Sequence, residues 1–125
     1  MLTYCQSTGV LTNDWNGGVH PMGIGYSGNG EGLNNGAMQD DQNVGPIPVG
    51  RWRIGPPLDP PDHLGPLAMP LTPASDTQTF GRSAFFIHGD NAAMNHTASH
   101  GCIILGRTIR EAINNSNDRD LTVVA

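Results

Sequence analysis

Glycine and proline are the residues that most restrict what this chain can fold into, since it holds 17 glycines and 10 prolines among 125 residues. Glycine weakens helices and strands, and proline interrupts both, so long regular elements are excluded. Leucine, isoleucine, valine and phenylalanine nevertheless recur in short clusters of strand length. The sequence therefore predicts a mainly β fold rich in loops, in one domain over residues 1–125.

Turn and capping residues between the apolar clusters indicate where the elements begin and end. Asn16-Gly17 between two such clusters is typical of a hairpin turn, because both residues tolerate positive φ. Thr108 with Glu111 three residues later matches a capping box, so we predict one short helix over Ile109–Ser116, near the C-terminus. Strands are predicted over Leu2–Ser7, Val10–Asn13, Val19–Gly25, Gly50–Ile54, Ser83–His88, Cys102–Leu105 and Leu121–Val124.

Two segments have the composition of loops. Tyr26–Asn43 is rich in glycine and asparagine, and it is long for a loop in a small domain. Pro56–Pro73 is rich in proline, so we expect an irregular segment with at most a short edge strand at Leu67–Met69. Both segments are candidate walls of a substrate groove, and the Pro-rich segment is alternatively a lid or a plain stiff connector.

Charge and hydropathy exclude several classes of protein. The chain has 6 basic and 11 acidic residues, for a net charge of −5, and no basic stripe, so no nucleic-acid partner is expected. Its apolar runs are too short to span a bilayer, so no membrane insertion is expected. The segment that begins at Met1–Cys5 has no charged n-region and no long apolar h-region, so no signal peptide is expected there. Cys5 is interpreted as a small buried residue of a strand.

The run Ser99-His100-Gly101-Cys102 carries the strongest chemical signal in the chain. A cysteine nucleophile reacts as a thiolate, so it needs a nearby base or positive charge, and a base needs a third group to orient it. His88, at the end of a predicted buried strand, and His100, two residues before the cysteine, are both candidate bases. We rank His88 first, because the end of a strand holds its ring rigidly.

Backbone and side-chain groups beside the motif have candidate supporting roles. Either the Gly89 carbonyl or the Asp90 carboxylate would orient the imidazole of His88. The amides of Gly101 and Cys102 are candidate donors to an oxyanion, because glycine permits the tight turn that this requires.

Two arginines flank the motif strands. Arg82 lies just upstream of the His88 strand, where it either caps the strand in solvent or forms a fork for a substrate carboxylate. Arg107 follows the Cys102 strand and is a weaker candidate for the same fork. The residues do not decide between these alternatives.

A zinc site is a competing interpretation of the same cluster. His96 and His100 are four residues apart, and Cys102 with His88 or Asp90 would complete a tetrahedral shell. The spacing matches no standard zinc motif, which makes the metal site the less favoured alternative.

Ile87-His88-Gly89 followed by Ser99-His100-Gly101-Cys102-Ile103 resembles the signature of L,D-transpeptidases, cysteine enzymes that remodel bacterial peptidoglycan. Ile47–Trp52 resembles their Pro-x-Gly-x-aromatic segment before a core strand. A closer resemblance is to type VI secretion effectors with an L,D-transpeptidase domain. The segments that carry it include Gly25–Asn35, Phe80–Ser83, Phe86–Asn91 and His96–Ile104.

This resemblance implies an L,D-transpeptidase-type β-sandwich in which Cys102 attacks the meso-diaminopimelate carbonyl of a tetrapeptide stem and releases D-Ala. It implies that His88 is the base and that the Gly89 carbonyl orients it. The acyl-enzyme would pass to water or to a D-amino acid, without a cofactor or metal. The residues expected to shape the oxyanion and acyl pocket or to bind substrate are Ser99, His100, Gly101, Arg82 and Asp90.

The implied biology is that of an antibacterial toxin, delivered by a secretion system to the target-cell periplasm and matched by a cognate immunity protein. One alternative keeps the fold as a cell-wall binding module with an inactive site. Thiol reactivity separates the two, because an activated Cys102 is expected to react with electrophiles faster than Cys5.

Overall fold

A computed structural model describes residues 1–60 and 64–125 of the chain. The described residues form strands, one α-helix and two short 3₁₀ turns at Gly30–Gly32 and Gly36–Met38. The helix α1 spans Arg107–Asn115. The strands are β1 Leu2–Cys5, β2 Val10–Asn13, β3 His20–Ile24, β4 Tyr26–Ser27, β5 Gly50–Ile54, β6 Met69–Pro73, β7 Phe85–His88, β8 Ile103–Ile104 and β9 Asp120–Val124. The prediction of a mainly β fold with one short helix near the C-terminus is confirmed.

The strands form one continuous sheet in the order β3-β2-β1-β9-β5-β6-β7-β8-β4. Strands β3 and β4 lie at opposite edges, yet only Gly25 separates them in the chain, so the sheet curls until its two edges nearly meet. The Gly25 amide donates to the carbonyl of Gly9 at 2.8 Å. A β-carbon at Gly25 would collide with the backbone of Ile104, so this closure requires glycine.

The hydrophobic core lies inside this curled sheet. Alternate residues of the strands point inward, as in β5, where Trp52 and Ile54 are buried while Arg51 and Arg53 are exposed. Ile113 of α1 belongs to the same core. The predicted hairpin is also present, because β2 and β3 pair antiparallel around the turn that contains Gly17 and Gly18, both with positive φ.

The Pro-rich segment differs from its prediction. Instead of an edge strand at Leu67–Met69, strand β6 (Met69–Pro73) lies inside the sheet between β5 and β7. The Pro70 carbonyl accepts from the Gly55 amide at 2.8 Å, on the β5 side. In an antiparallel strand a residue's N–H and C=O point to the same neighbour, so the missing N–H of Pro70 costs β7 nothing. Residues 61–63 of this segment lie outside the described residues.

The helix begins two residues before its predicted start. Its N-cap is Gly106, with no side-chain capping bond, so the capping box predicted at Thr108 is wrong. Thr108 lies inside the first turn instead, and Glu111 accepts a hydrogen bond from Arg107 at 3.0 Å, one turn away. The predicted loop over 26–43 is also more regular than expected, since it contains β4 and both 3₁₀ turns.

Candidate active site

Two adjacent parallel strands bring the two halves of the His–Cys motif together. β7 ends at His88, and β8 begins one residue after Cys102. The register pairs Ile87 with Ile103 and His88 with Ile104. Since Ile87 and Ile103 point into the core, His88 and Cys102 lie on the opposite face as diagonal neighbours.

Ser99 ties the loop of residues 99–102, the cysteine loop, to the rest of the fold. Its side chain is fully buried, and its hydroxyl donates to the Cys102 carbonyl at 2.6 Å. The same oxygen accepts from the amides of Gly28 at 2.9 Å and of Gly101 at 3.1 Å. The Gly101 amide is therefore already bonded, which contradicts the prediction that it points at an oxyanion. Ser99 therefore holds the loop together and is not exposed to a substrate.

Ser27, on the neighbouring β4, fastens the same loop from the other side. Its buried hydroxyl donates to the Gly101 carbonyl at 3.1 Å and accepts from the Ile47 amide at 2.9 Å. Sequence analysis did not select Ser27. A serine inside a two-residue strand gives no chemical signal by itself, and its role depends on the strand pairing that brings Gly101 to it.

His88 is buried, and its Nδ1 lies 2.8 Å from the carbonyl oxygen of Gly89. A carbonyl only accepts, so this contact requires the proton on Nδ1 and leaves Nε2 as the basic nitrogen of the neutral ring. Of the two alternatives for orienting the ring, the structure shows the Gly89 carbonyl. The Asp90 carboxylate instead accepts from the Tyr26 hydroxyl at 2.6 Å and from the Asn91 amide at 2.9 Å.

The other two histidines of the cluster have partners away from the His–Cys pair. The exposed ring of His100 lies 3.1 Å through Nδ1 from the carbonyl of Asn43. His96 packs edge-on against Tyr26, with 4.9 Å between ring centroids. Among the described residues, no group of three or more His, Cys, Asp or Glu side chains is arranged to hold a metal ion, so the zinc interpretation gains no support.

The two cysteine thiols have opposite electrostatic environments. Burial raises the pKa of Cys102, and a backbone hydrogen bond with Phe86 and the charge of Arg82 oppose that rise without cancelling it. Hydrogen bonds from Ser7 and Thr8 lower the pKa of Cys5 to about 7. Cys5 is only partly buried, so its interpretation as a core residue is wrong. These directions favour a larger thiolate fraction at Cys5 than at Cys102, the reverse of the order expected from the sequence, and a hydrogen bond from the Cys5 thiol to the Ala125 oxygen at 3.1 Å acts against it.

The arginines also differ from their predicted positions. Arg82 is 6% exposed, so it is not a solvated cap, and its Nη1 and Nη2 atoms donate to backbone carbonyls. This geometry does not favour a fork for a substrate carboxylate, because both terminal nitrogens already have partners. Arg107 is exposed and pairs with Glu111.

Arg110 is a buried arginine that sequence analysis missed. Its Nε donates to the Leu105 carbonyl at 3.0 Å and its Nη1 to the Pro66 carbonyl at 2.6 Å. Its Nη2 lies 2.7 Å from where a β-carbon on Gly89 would stand, so it packs against the turn that orients His88. Its position between Ile109 and Ile113 on the apolar side of the helix was the available signal.

A groove of about 400 Å³ adjoins the face that carries His88. Tyr26 and His88 both pair with Ile104 in the sheet, so they share that face, and Tyr26 and Ile104 line the groove. Asp90, Met94 and Arg107 line it further along. A larger groove of about 500 Å³ is lined by residues of β5, β6 and β9 together with Met1 and Ala74, and neither groove has His88 or Cys102 among its lining residues.

A comparison with protein families matches the part of the chain that contains these residues. A family model described as the Tlde1 domain matches residues 23–125, which include both halves of the motif. The chain belongs to the Tlde1 domain family. This membership makes it a type VI secretion effector toxin. A search of curated proteins found no match. In the part of the chain that the structure describes, no helix is long and apolar enough to cross a bilayer.

Proposed function

We propose that this Tlde1 domain is a cysteine L,D-carboxypeptidase and L,D-transpeptidase that acts on peptidoglycan tetrapeptide stems. One observation carries the proposal. Strand β7 ends at His88, and the adjacent parallel strand β8 begins just after Cys102, so both residues lie on one face. The Gly89 carbonyl holds the proton of His88 on Nδ1. That arrangement supplies a nucleophile and a base whose basic nitrogen, Nε2, is defined by the proton on Nδ1. The resemblance of the motif to L,D-transpeptidases supplies the substrate class.

In the proposed mechanism, Nε2 of His88 takes the thiol proton while Sγ of Cys102 attacks the carbonyl of meso-diaminopimelate. The tetrahedral intermediate collapses as the C–N bond to D-Ala breaks, and the imidazolium returns the proton to the departing amine. Water then releases a tripeptide stem, or the amine of a D-amino acid forms a new amide. In both branches His88 accepts the proton of the attacking group, the C–S bond of the thioester breaks, and the imidazolium returns that proton to the Cys102 thiolate.

The raised pKa of the Cys102 thiol bears on this mechanism. A thiol that is protonated in the free enzyme has to be deprotonated during attack, so the base acts in the reaction step rather than by forming a resting ion pair. The enzyme is then expected to need a bound substrate for reactivity. Such a thiol reacts slowly with electrophiles that the site does not hold.

The experiment is incubation of purified protein with tetrapeptide muropeptides, with and without an added D-amino acid, followed by mass spectrometry. We expect tripeptide products without the amino acid and exchanged tetrapeptides with it. Cys102→Ala should lose both products, while Cys5→Ala, a matched cysteine control, should keep them. Tripeptide formation by Cys102→Ala would contradict the proposal.

A cell-wall binding module with an inactive site is the second candidate, and the raised pKa of Cys102 is the observation that favours it. This candidate predicts that the parent protein sediments with purified sacculi and leaves every stem unchanged. Delivery to the target-cell periplasm and neutralisation by a cognate immunity protein belong to either proposal.

A further inference from the structure

Arg82 is a buried cation that joins the segment 39–46 to the cysteine loop. Its Nη1 donates to the carbonyls of Gln39 at 2.5 Å and Pro46 at 2.8 Å. Its Nη2 donates to the carbonyls of Gly45 at 3.0 Å and His100 at 3.2 Å. The guanidinium carbon lies 5.2 Å from the centre of the Phe85 ring, which closes one side of its site.

The cysteine loop is built around this guanidinium. Gly101 has φ +130°, and a β-carbon there would stand 2.5 Å from Nη2 of Arg82. Only a glycine lets the backbone approach so closely. The residue after Gly101 is Cys102, so the cation lies beside the backbone that carries the thiol.

The hydrogen bonds alone do not require a charge at position 82. All four acceptors are neutral carbonyls, and burial lowers the pKa of Arg82, which means that holding the cation there is unfavourable. Asp41 and Asp40 offset this only from a distance, because both are exposed and neither has a hydrogen bond to the guanidinium. A cation kept under these conditions indicates a use for its charge.

We propose that Arg82 is a positioning residue of the cysteine site, whose guanidinium holds the His100-Gly101 backbone and whose charge stabilises the thiolate that forms at Cys102. The proposal rests on the proposed function only in taking Cys102 as the nucleophile. The same charge opposes the effect of burial on the pKa of Cys102. Arg82 contacts backbone rather than substrate, so its effect on the reaction passes through the loop and the thiolate.

The charged and titratable groups near Cys102 determine the thiol pKa that a titration would measure. Arg82 approaches it from the segment before β7, His88 ends β7, and His100 belongs to the cysteine loop itself. Asp40 and Asp41 act on Arg82 from the 26–43 segment. Removal of the positive charge at Arg82 should therefore move the thiol pKa upward, and removal of the two negative charges beside it should move the thiol pKa downward.

The test measures alkylation of Cys102 by iodoacetamide between pH 6 and 10, in a Cys5→Ser background, by intact mass. In this reaction the thiolate sulfur forms a bond to the methylene carbon, iodide leaves, and the thiol proton goes to buffer. Arg82→Gln keeps a planar amide donor, with two N–H groups for the four carbonyls, and removes the charge. We expect it to raise the apparent pKa by about 1 unit, with about tenfold slower alkylation below that pKa.

Arg82→Lys and Arg51→Gln are the matched variants. Lysine keeps the charge and loses the fork, so its thiol pKa should stay within about 0.5 units of the parent although its melting temperature falls. Arg51 is exposed and paired with Asp76, so Arg51→Gln removes the same formal charge elsewhere and should leave the thiol pKa unchanged. If Arg82 had only a structural role, Arg82→Lys and Arg82→Gln would change the thiol pKa by the same amount.

If Arg82→Gln does not fold, the double variant Asp40→Asn and Asp41→Asn replaces it, because both positions are exposed. It removes two negative charges beside Arg82 instead of the positive charge, so the thiol pKa should change in the opposite direction. The expected result is a lower thiol pKa and faster alkylation near neutral pH. An unchanged thiol pKa in every folded variant overturns the proposal. Because alkylation needs no peptidoglycan, loss of the proposed activity and loss of this inference are distinguishable.

Discussion

Ser99→Ala is the substitution whose consequence the structure defines best. The hydroxyl of Ser99 makes three hydrogen bonds: to the Cys102 carbonyl at 2.6 Å, and from the amides of Gly28 at 2.9 Å and Gly101 at 3.1 Å. Each is worth about 1 kcal/mol net, and a buried group left without a partner costs as much or more. We therefore expect the free energy of unfolding to fall by about 3 kcal/mol.

Urea denaturation followed by the fluorescence of buried Trp52 measures this loss. With a denaturant slope of about 1.5 kcal/mol per molar, the midpoint should fall by about 2 M. Ser83→Ala, an exposed serine before β7, is the control and should change the free energy of unfolding by less than about 0.5 kcal/mol. Equal midpoints for the two variants would refute the reasoning that Ser99 holds the loop together.

Three further predictions concern the groove, the core and the thiol. Tyr26→Phe removes a donor to Asp90 and an acceptor for the Ala98 amide, so loop 89–98 should be cleaved faster in limited proteolysis, with about 1–2 kcal/mol of stability lost in urea. Ile113→Ala empties a fully buried position and should lower the free energy of unfolding by about 3 kcal/mol, measured by urea denaturation; a loss under 1 kcal/mol would show that α1 is not part of the core. Because burial raises the pKa of the Cys102 thiol, its alkylation rate in Cys5→Ser protein should still be rising at pH 9, and a plateau below pH 8 would contradict this.

The sequence predicted the strands whose residues alternate or cluster locally, such as β5, β7 and β8. Trp52 and Ile54 alternate with two arginines, and the chain buries one set and exposes the other. The apolar run before His88 becomes β7, and the run after Cys102 becomes β8. These two strands pair in parallel in the sheet, and no local pattern in the sequence predicts which strands become neighbours.

Proline was a poor guide to the position of β6. The sequence argument treated proline as excluded from a central strand, whereas Pro70 directs its missing donor toward one neighbour only. The strand is short, and its first residues pair with β7 while its last residues pair with β5, so few hydrogen bonds are affected. Register decides whether a proline is tolerated, and register depends on partners far along the chain.

The buried arginines were the least predictable part of the site. Arg82 and Arg110 look like surface residues in sequence, because arginine is seldom buried. Each is enclosed by carbonyls from distant segments, at Gln39 and Pro46 for one and at Pro66 for the other. The two glycines of the motif, Gly89 and Gly101, pack against their guanidinium groups. Those contacts exist only after the sheet has curled.

The most direct test of the account is the fate of a purified tetrapeptide stem incubated with the parent protein and with Cys102→Ala. The account predicts that the parent releases D-Ala and leaves a tripeptide, that Cys5→Ala does the same, and that Cys102→Ala leaves the tetrapeptide intact. A mass spectrum that shows tripeptide from Cys102→Ala, or unchanged tetrapeptide from the folded parent, would contradict it.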